Sequence, residues 1–295
     1  MKKKVKLSKN KLFKKSINFP PHILFILILV GIFAITIEIF FLKPIVYSEG
    51  DFVPSDIMQE FKSEKASQLI KPNTQQLISH GSRTIPKIAL TFDADMTYGM
   101  EDLLHSGKVK SYYDEHLINV LKTNNTKATF FLTGLWIETY PKIAQNLAQN
   151  PLFELANHSY DHKAFDGYCY GLRPIDNGGE KMEVEKTQDL LKNLGVSNKY
   201  FRFPGGCYSQ KDLDILSSLG MTGVQWDTAG VDGFNDNKES IENNILDHVQ
   251  NGSIIVMHMN GYPNEPVTAG ATADLIFKLR QRGFEFVTLS ELLSH

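Results

Sequence analysis

Two histidines four residues apart, His158 and His162, are the residues in this sequence whose types and spacing most directly offer chemistry. On a helical turn or in a tight loop, such a pair can turn two imidazole nitrogens toward one metal ion. Ser159, directly after the first histidine, suits a supporting role that steadies the ligand loop. The pattern alone also occurs as surface or core decoration. It gains weight from Asp93-Ala94-Asp95, which follows the apolar run Ile88-Ala89-Leu90-Thr91-Phe92. Two histidines and one carboxylate make a three-ligand site with open positions, the mark of a catalytic rather than a structural divalent metal.

Elements able to position these residues begin at Pro86, where short β-type runs alternate with helical patterns. Strands are expected at 87–92, 127–133, 153–156, 200–203, 221–226, 253–257 and 284–287. Helices are expected at 112–123, 137–149, 179–194, 210–219, 238–250 and 272–282, with a short closing turn near 290–293. Gly195, Gly220, Gly252 and Gly283 fall where helices should stop. Seven strand–helix units in series imply a parallel α/β sheet with right-handed crossovers. Asp93 and Asp95 follow the first strand, His158 the third, Arg202 ends the fourth, Trp226-Asp227 the fifth, and His258 follows the sixth. Only a barrel brings so many strand ends round one axis, so the spacing favours a barrel over an open sheet.

The rest of the chain bears on location. The first 15 residues carry eight lysines and no acid, whereas residues 43–295 carry a net charge of −9. An acidic body argues against nucleic acid as a partner. Ile23–Leu42 is a nearly unbroken apolar run, long enough to cross a bilayer, with Glu38 near its far end. Lysines before it predict a cytoplasmic N-terminus and an extracytoplasmic body. No small-x-small site follows, which favours an uncleaved anchor over a signal peptide. The expected organisation is a basic arm at 1–21, a transmembrane helix at 22–42, a stalk at 43–85 and a catalytic domain at 86–295. Cys169 and Cys207 are the only cysteines, and the sequence leaves open whether they pair.

Taken in order, Thr91-Phe92-Asp93-Ala94-Asp95, His158-Ser159-Tyr160-Asp161-His162, Arg202-Phe203-Pro204-Gly205-Gly206, Trp226-Asp227-Thr228 and Val256-Met257-His258 resemble the five motifs of the polysaccharide deacetylases, carbohydrate esterase family 4. The resemblance runs over roughly residues 86–293. It implies a distorted seven-unit (β/α) barrel that removes N-acetyl groups from amino-sugar polymers with a divalent metal. By that resemblance Asp95, His158 and His162 hold the metal, Zn²⁺ first, with Co²⁺, Ni²⁺ and Fe²⁺ suited to the same donors. Asp93 is the expected general base, Arg202 its cation, and His258 the acid for the leaving amine, its ring oriented by Asp227. The backbone N–H of Gly205 is the expected oxyanion donor, and Trp226 packs on the barrel rim or against a sugar ring.

The departures are specific. Ala94 separates the two aspartates and Met96 follows them. Gly205 stands where the family has an aromatic residue. The second Asp and the Trp expected after Asp227 are out of register, with Asp232 nearby but displaced. The insertion Thr97–Lys110 is expected to form a loop over the site, and Tyr98, Trp136 and Tyr208 are candidate sugar-stacking rings. Asp161 is expected to face solvent or serve the structure. The substrate implied by this reading is a cell-envelope amino-sugar polymer, with peptidoglycan foremost on location. The competing readings are a deacetylase or deformylase of a lipid-linked sugar, and an inactive sugar-binding or scaffold barrel. Oligomeric state is not legible.

Overall fold

Alternation along β1 (Lys87–Ala94) sets up the site, because successive strand side chains point to opposite faces. Ile88, Leu90, Phe92 and Ala94 join the large cluster beneath the surrounding helices. Ala89 joins a smaller, inner cluster with Phe131, Ala156, Tyr200, Val224 and Ile254. Thr91 and Asp93 share the parity of Ala89, so the chain delivers Asp93 inward at the end of the strand.

The computed structural model describes residues 77–176, 178–259 and 267–294. The basic arm, the apolar run at 22–42 and the stalk as far as residue 76 lie outside the described residues. Among the described residues no helix is long and apolar enough to cross a membrane.

The other strands are β2 (Ala128–Leu132), β3 (Phe153–Asn157), β4 (Tyr200–Phe201), β5 (Thr222–Gly223), β6 (Thr228–Ala229), β7 (Ile254–His258) and β8 (Glu285–Phe286). They lie in the order β5-β4-β3-β2-β1-β7-β6, and every pairing is parallel. β8 pairs with Lys87 and Ile88 of β1, below the stretch that β2 occupies. This is the expected parallel α/β barrel with its seven predicted strands, shorter than predicted at β4, β5 and β8. β6 is an addition. At two residues it is too short for any period to announce it.

β5 and β6 stand at opposite ends of that order, and the chain before β1 bridges them. Ile78 pairs in parallel with Val224 just after β5, and His80 pairs antiparallel with Ser253 just before β7. Gly252, at φ 77°, lets this strap pass, since a Cβ there would lie 2.5 Å from the carbonyl oxygen of Ser82. Residues 77–84, expected to close the stalk, are therefore part of the barrel wall.

The helices are α1 (Tyr98–His105), α2 (Glu115–Thr123), α3 (Gly134–Thr139), α4 (Pro141–Ala148), α5 (Glu180–Asn193), α6 (Gln210–Ser218), α7 (Lys238–Leu246), α8 (Thr268–Gln281) and α9 (Leu289–Leu292). The segment expected as one helix at 137–149 is two. Tyr140 leaves helical geometry at φ −123°, ψ 54°, and Pro141 opens the next helix at its first turn. The 97–110 insertion is not a plain loop, because Thr97 caps α1 by accepting from the backbone of Met100. At the N-terminal end of the barrel, α9 forms the expected closing turn. Leu289 and Leu292 enter the inner cluster, the Leu289 N–H donates to Thr129 at 2.9 Å, and that of Ser290 donates to Glu154 at 3.0 Å.

Candidate active site

β1 and β3 end side by side near the barrel axis, and their ends carry the acids and imidazoles. His158 follows β3 directly, and the loop after it folds back through two non-glycine left-handed residues, Ser159 at φ 66° and His162 at φ 59°. The pair with i, i+4 spacing thus sits in a tight loop and not on a helix. Three contacts hold the loop. Ser159 N donates to Asn157 Oδ1 at 3.0 Å, while Tyr160 N and Asp161 N donate to Glu183 Oε2 at 2.9 and 3.1 Å. Glu183 reaches in from α5 and is buried. Gly134 lets the loop close, because a Cβ there would meet the Tyr160 ring at 2.4 Å. Ser159 steadies the turn through its backbone, and Thr187 donates to its carbonyl at 2.7 Å.

Asp95, His158 and His162 converge, with one potential ligand atom from each lying within 4.8 Å of the others. Asp95 Oδ1 is 3.4 Å from His158 Nε2 and 3.3 Å from His162 Nε2. His158 Nδ1 lies 2.8 Å from the carbonyl oxygen of Arg202. A carbonyl only accepts, so Nδ1 carries the hydrogen and Nε2 faces the carboxylates. Asp95 Oδ1 is buried without a hydrogen bond. A buried anionic oxygen facing two imidazole nitrogens is a set of donors that a cation would satisfy, and the residues fit a divalent metal.

Titration agrees with this geometry. Burial pushes the Asp95 carboxyl up, but the charge on the neighbouring imidazoles, His162 foremost, holds it well below the usual carboxylate range. Burial lowers the His162 ring to about 4, despite the pull of Asp95. Burial also opposes charge on His158, yet Asp93 and then Asp95 win and raise it. A proton on His158 Nε2 therefore occupies the direction in which a cation would bind, and the two compete.

Asp93 stands beside this triad, its Oδ2 3.6 Å from His158 Nε2, while its Oδ1 accepts from Arg202 Nη1 at 2.6 Å. Arg202 is fully buried in the barrel. Its guanidinium lies 4.0 Å from the Phe131 ring centroid and 5.5 Å from that of Trp226. Trp226 thus backs the arginine from the inner wall, and its ring also fills the space where Gly206 has no side chain. Gly205 sits in the 3₁₀ turn Pro204–Gly206 at φ 61°, three residues past Arg202.

His258 ends β7 across from the triad, with Nε2 4.0 Å from Asp95 Oδ2. The orienting carboxylate is Asp232 and not Asp227. Asp232 Oδ1 lies 2.9 Å from His258 Nδ1, and its Oδ2 accepts from the His258 backbone at 2.9 Å and from Thr268 Oγ1 at 2.6 Å. Burial works against charge on His258, but Asp232 outweighs it and pushes the ring up to about 10. Asp227 faces the other way. It accepts from Arg83 Nη2 at 2.6 Å, Ser253 Oγ at 3.1 Å and the Ile254 N–H at 3.0 Å, and so pins the strap to the barrel. Val231, a β-branched residue at φ 61°, makes the turn that carries Asp232 back to the histidine.

The remaining candidates separate. Trp136 is fully buried and donates to the Tyr112 carbonyl at 2.9 Å, so it belongs to the core and offers no ring to a ligand. Tyr98 and Tyr208 are exposed. Asp161 is buried and paired with Lys163 at 2.9 Å, which makes it structural and not solvent-facing. Cys169 and Cys207 form a disulfide, with Cα atoms 6.0 Å apart. Glu183 and Asp232 are the residues that sequence reasoning missed in these roles. The displaced position of Asp232 was its one signal.

Fold and site together define a class: a parallel α/β barrel with a metal-ready carboxylate–histidine triad and an oriented histidine at the C-terminal ends of its strands. Comparison with known proteins narrows this. Residues 80–224 match the polysaccharide deacetylase family model. The chain is 28% identical over 207 residues to a peptidoglycan-N-acetylglucosamine deacetylase of Bacillus cereus, covering 70% of this chain and 68% of that one. It is also 28% identical over 182 residues to YlxY of Bacillus subtilis, an uncharacterized protein, covering 61% of this chain and 53% of that relative, so it spans about half that relative's length. The crystal structure of the Bc1960 peptidoglycan N-acetylglucosamine deacetylase superposes with a TM-score of 0.61 at 25% identity, over 75% of this chain and 94% of that one. These comparisons support a polysaccharide deacetylase of carbohydrate esterase family 4, the family whose model residues 80–224 match.

Proposed function

We propose that this protein hydrolyses the N-acetyl amide of amino sugars in a cell-envelope polysaccharide, releasing acetate, with a divalent metal held by Asp95, His158 and His162. The observation that carries this reading is the pairing of a metal-ready triad with His258, an imidazole pushed up to about 10 and aimed at the same space. Peptidoglycan is the proposed substrate, supported by what the Bacillus cereus relative and the Bc1960 structure are described as acting on.

A bound Zn²⁺, or Co²⁺, Ni²⁺ or Fe²⁺, would supply Lewis-acid polarisation of the acetyl carbonyl and a more acidic water. This chain's residues do the rest. Asp93, paired with Arg202 at 2.6 Å, takes the proton from the attacking water. The N–H of Gly205 is offered as a donor to the developing oxyanion. His258, protonated and held by Asp232, gives its proton to the departing nitrogen. Asp93 and His258 thus stand on two sides of the metal-ready triad, one to accept a proton and one to deliver it. On the same footing we read residues 22–42 as a single-pass anchor that places the barrel outside the cytoplasm. The lysines before that run support this orientation.

The test is acetate release from peptidoglycan and from N-acetylglucosamine oligomers by the metal-loaded protein, with His158→Ala and Asp93→Asn as controls. Release that depends on metal and is lost in both variants supports the reading. Tight metal binding without release from either polymer would turn attention to lipid-linked sugars, and no metal binding at all would sink it.

A further inference from the structure

Tyr170 and Phe234 keep 46% and 63% of their surface in water, yet their ring centroids lie 6.2 Å apart. They come from separate loops. Tyr170 follows Cys169, whose disulfide to Cys207 ties the loop after β3 to the turn that follows Arg202. Phe234 lies two residues after Asp232, the carboxylate that holds His258. The ring pair therefore bridges the loop that carries His158 and His162 and the loop whose Asp232 holds His258.

The backbone holds this arrangement in place. A Cβ on Gly205 would lie 2.6 Å from Cys169 Sγ and 3.2 Å from Tyr170 Cδ2, so a bare backbone at Gly205 is what lets the Tyr170 ring lie over the turn. Tyr170 at φ 50° and Gly171 at φ 78° reverse the chain, and the Leu172 N–H donates back to the Cys169 carbonyl at 2.9 Å. On the other side, the left-handed Val231 directs the loop that carries Phe234. Two water-exposed rings fixed by a disulfide and by strained turns lose little freedom when a ligand covers them. Two exposed rings in contact make one apolar patch beside the site, unlike hydrophobic residues scattered singly over a surface.

We propose that Tyr170 and Phe234 form a stacking platform for a pyranose ring of the polymer, in the unit beside the one whose acetamide is cleaved. A pyranose presents a face of C–H groups, and an aromatic face takes such a surface without needing a hydrogen-bond partner. The platform makes the protein prefer a chain of sugars to a single one. This rests on the deacetylase reading for the location of the reacting unit, but the stacking itself does not.

The experiment is calorimetric titration of the full-length chain, purified in detergent with EDTA present so that turnover consumes no ligand. The probes are N-acetylglucosamine and its tetramer. The wild type is expected to bind the tetramer more tightly. Tyr170→Ala and Phe234→Ala are each expected to weaken tetramer binding by about tenfold or more, as truncation of an aromatic anchor does, while Tyr170→Phe and Phe234→Trp keep it. Folding of each variant is checked by its melting temperature. A wild type with no tetramer preference, folded alanine variants that bind as the wild type does, or a Tyr170→Phe loss equal to that of Tyr170→Ala would each overturn the platform. Acetate release separates the two claims. Release with unaltered binding in the alanine variants removes the platform alone, and ring-dependent binding in a chain that releases no acetate removes the deacetylase reading alone.

Discussion

The two ends of the barrel treat their polar atoms in opposite ways. At the N-terminal end, Glu154 takes hydrogen bonds from Thr129, Ser290 N and the Ser290 hydroxyl, Lys127 pairs with Glu291, and α9 carries its own capping box. At the C-terminal end, Asp95 Oδ1, Ser159 Oγ and Arg202 Nε are buried without partners. Four non-glycine residues there, Ser159, His162, Tyr170 and Val231, hold left-handed backbone. A buried unpartnered polar atom is expensive, and so is backbone strain. At the metal-ready triad and the arginine beside it, ligands and a substrate are placed to supply the missing partners. One end holds the barrel together, and the other keeps its bonding capacity open for chemistry.

The largest way to break this comparison is at the open end. Asp93→Asn is expected to lower kcat per folded molecule by about 10²- to 10⁴-fold, the range of a lost general base. It also leaves the buried Arg202 guanidinium without its carboxylate, so the melting temperature is expected to fall as well. A kcat per folded molecule that stays at the wild-type value, with only the melting temperature lowered, would show that Asp93 serves the scaffold and not the reaction. Asp232→Asn tests the second carboxylate. It is expected to cost about 10²-fold or more in kcat, whereas Asp227→Asn leaves kcat nearly unchanged and lowers the melting temperature. The reverse result, in steady-state assays of both, would return the orienting role to Asp227.

The closed end predicts the opposite signature. Leu289→Ala opens a cavity in the inner cluster and is expected to cost about 2–5 kcal/mol in denaturant unfolding, with kcat per folded molecule preserved. The smallest effect concerns the strap. Arg83 is 35% exposed in its pair with Asp227, so Arg83→Ala should cost under about 1 kcal/mol, read by the same unfolding titration.

Acid–base behaviour sharpens the contrast. His258 in the metal-free protein is raised from an ordinary 6.5 to about 10. Its folded state holds a proton more tightly than the unfolded chain, so its contribution to stability is fully present below about pH 6.5. That contribution is lost as pH rises toward 10. NMR titration of the ring should show this high value in the wild type and a lower one in Asp232→Asn. An unshifted ring in the wild type would remove the case for His258 as the acid.

Much of this was legible in one dimension. The apolar run at 88–92, the two acids just past it, and the paired histidines four residues apart are local features; repeated strand–helix units gave the parallel sheet, and the polar residues at the strand ends favoured the barrel. The split between α3 and α4 was legible too, in Pro141, and the expectation of one helix overlooked it. Other features depended on contacts distant in sequence. Glu183 grips the ligand loop from 23 residues away along the chain. The strap at 77–84 reads as polar linker, since its bonds to Gly223, Gln225 and Gly252 are backbone bonds that leave no mark on side-chain type, and the partner of Arg83, Asp227, lies 144 residues on.

The sequence by itself determined which residues could ligate a metal, because ligand type and loop spacing are local, and it determined the parallel α/β class, because hydrophobic period is local as well. Only the tertiary structure decided between Asp227 and Asp232, five residues apart and chemically alike. The choice turns on a two-residue strand and one left-handed valine, which aim the first carboxylate at the strap and the second at His258. It also decided that Cys169 and Cys207 pair, since a disulfide needs two loops 38 residues apart brought to a Cα separation of 6.0 Å.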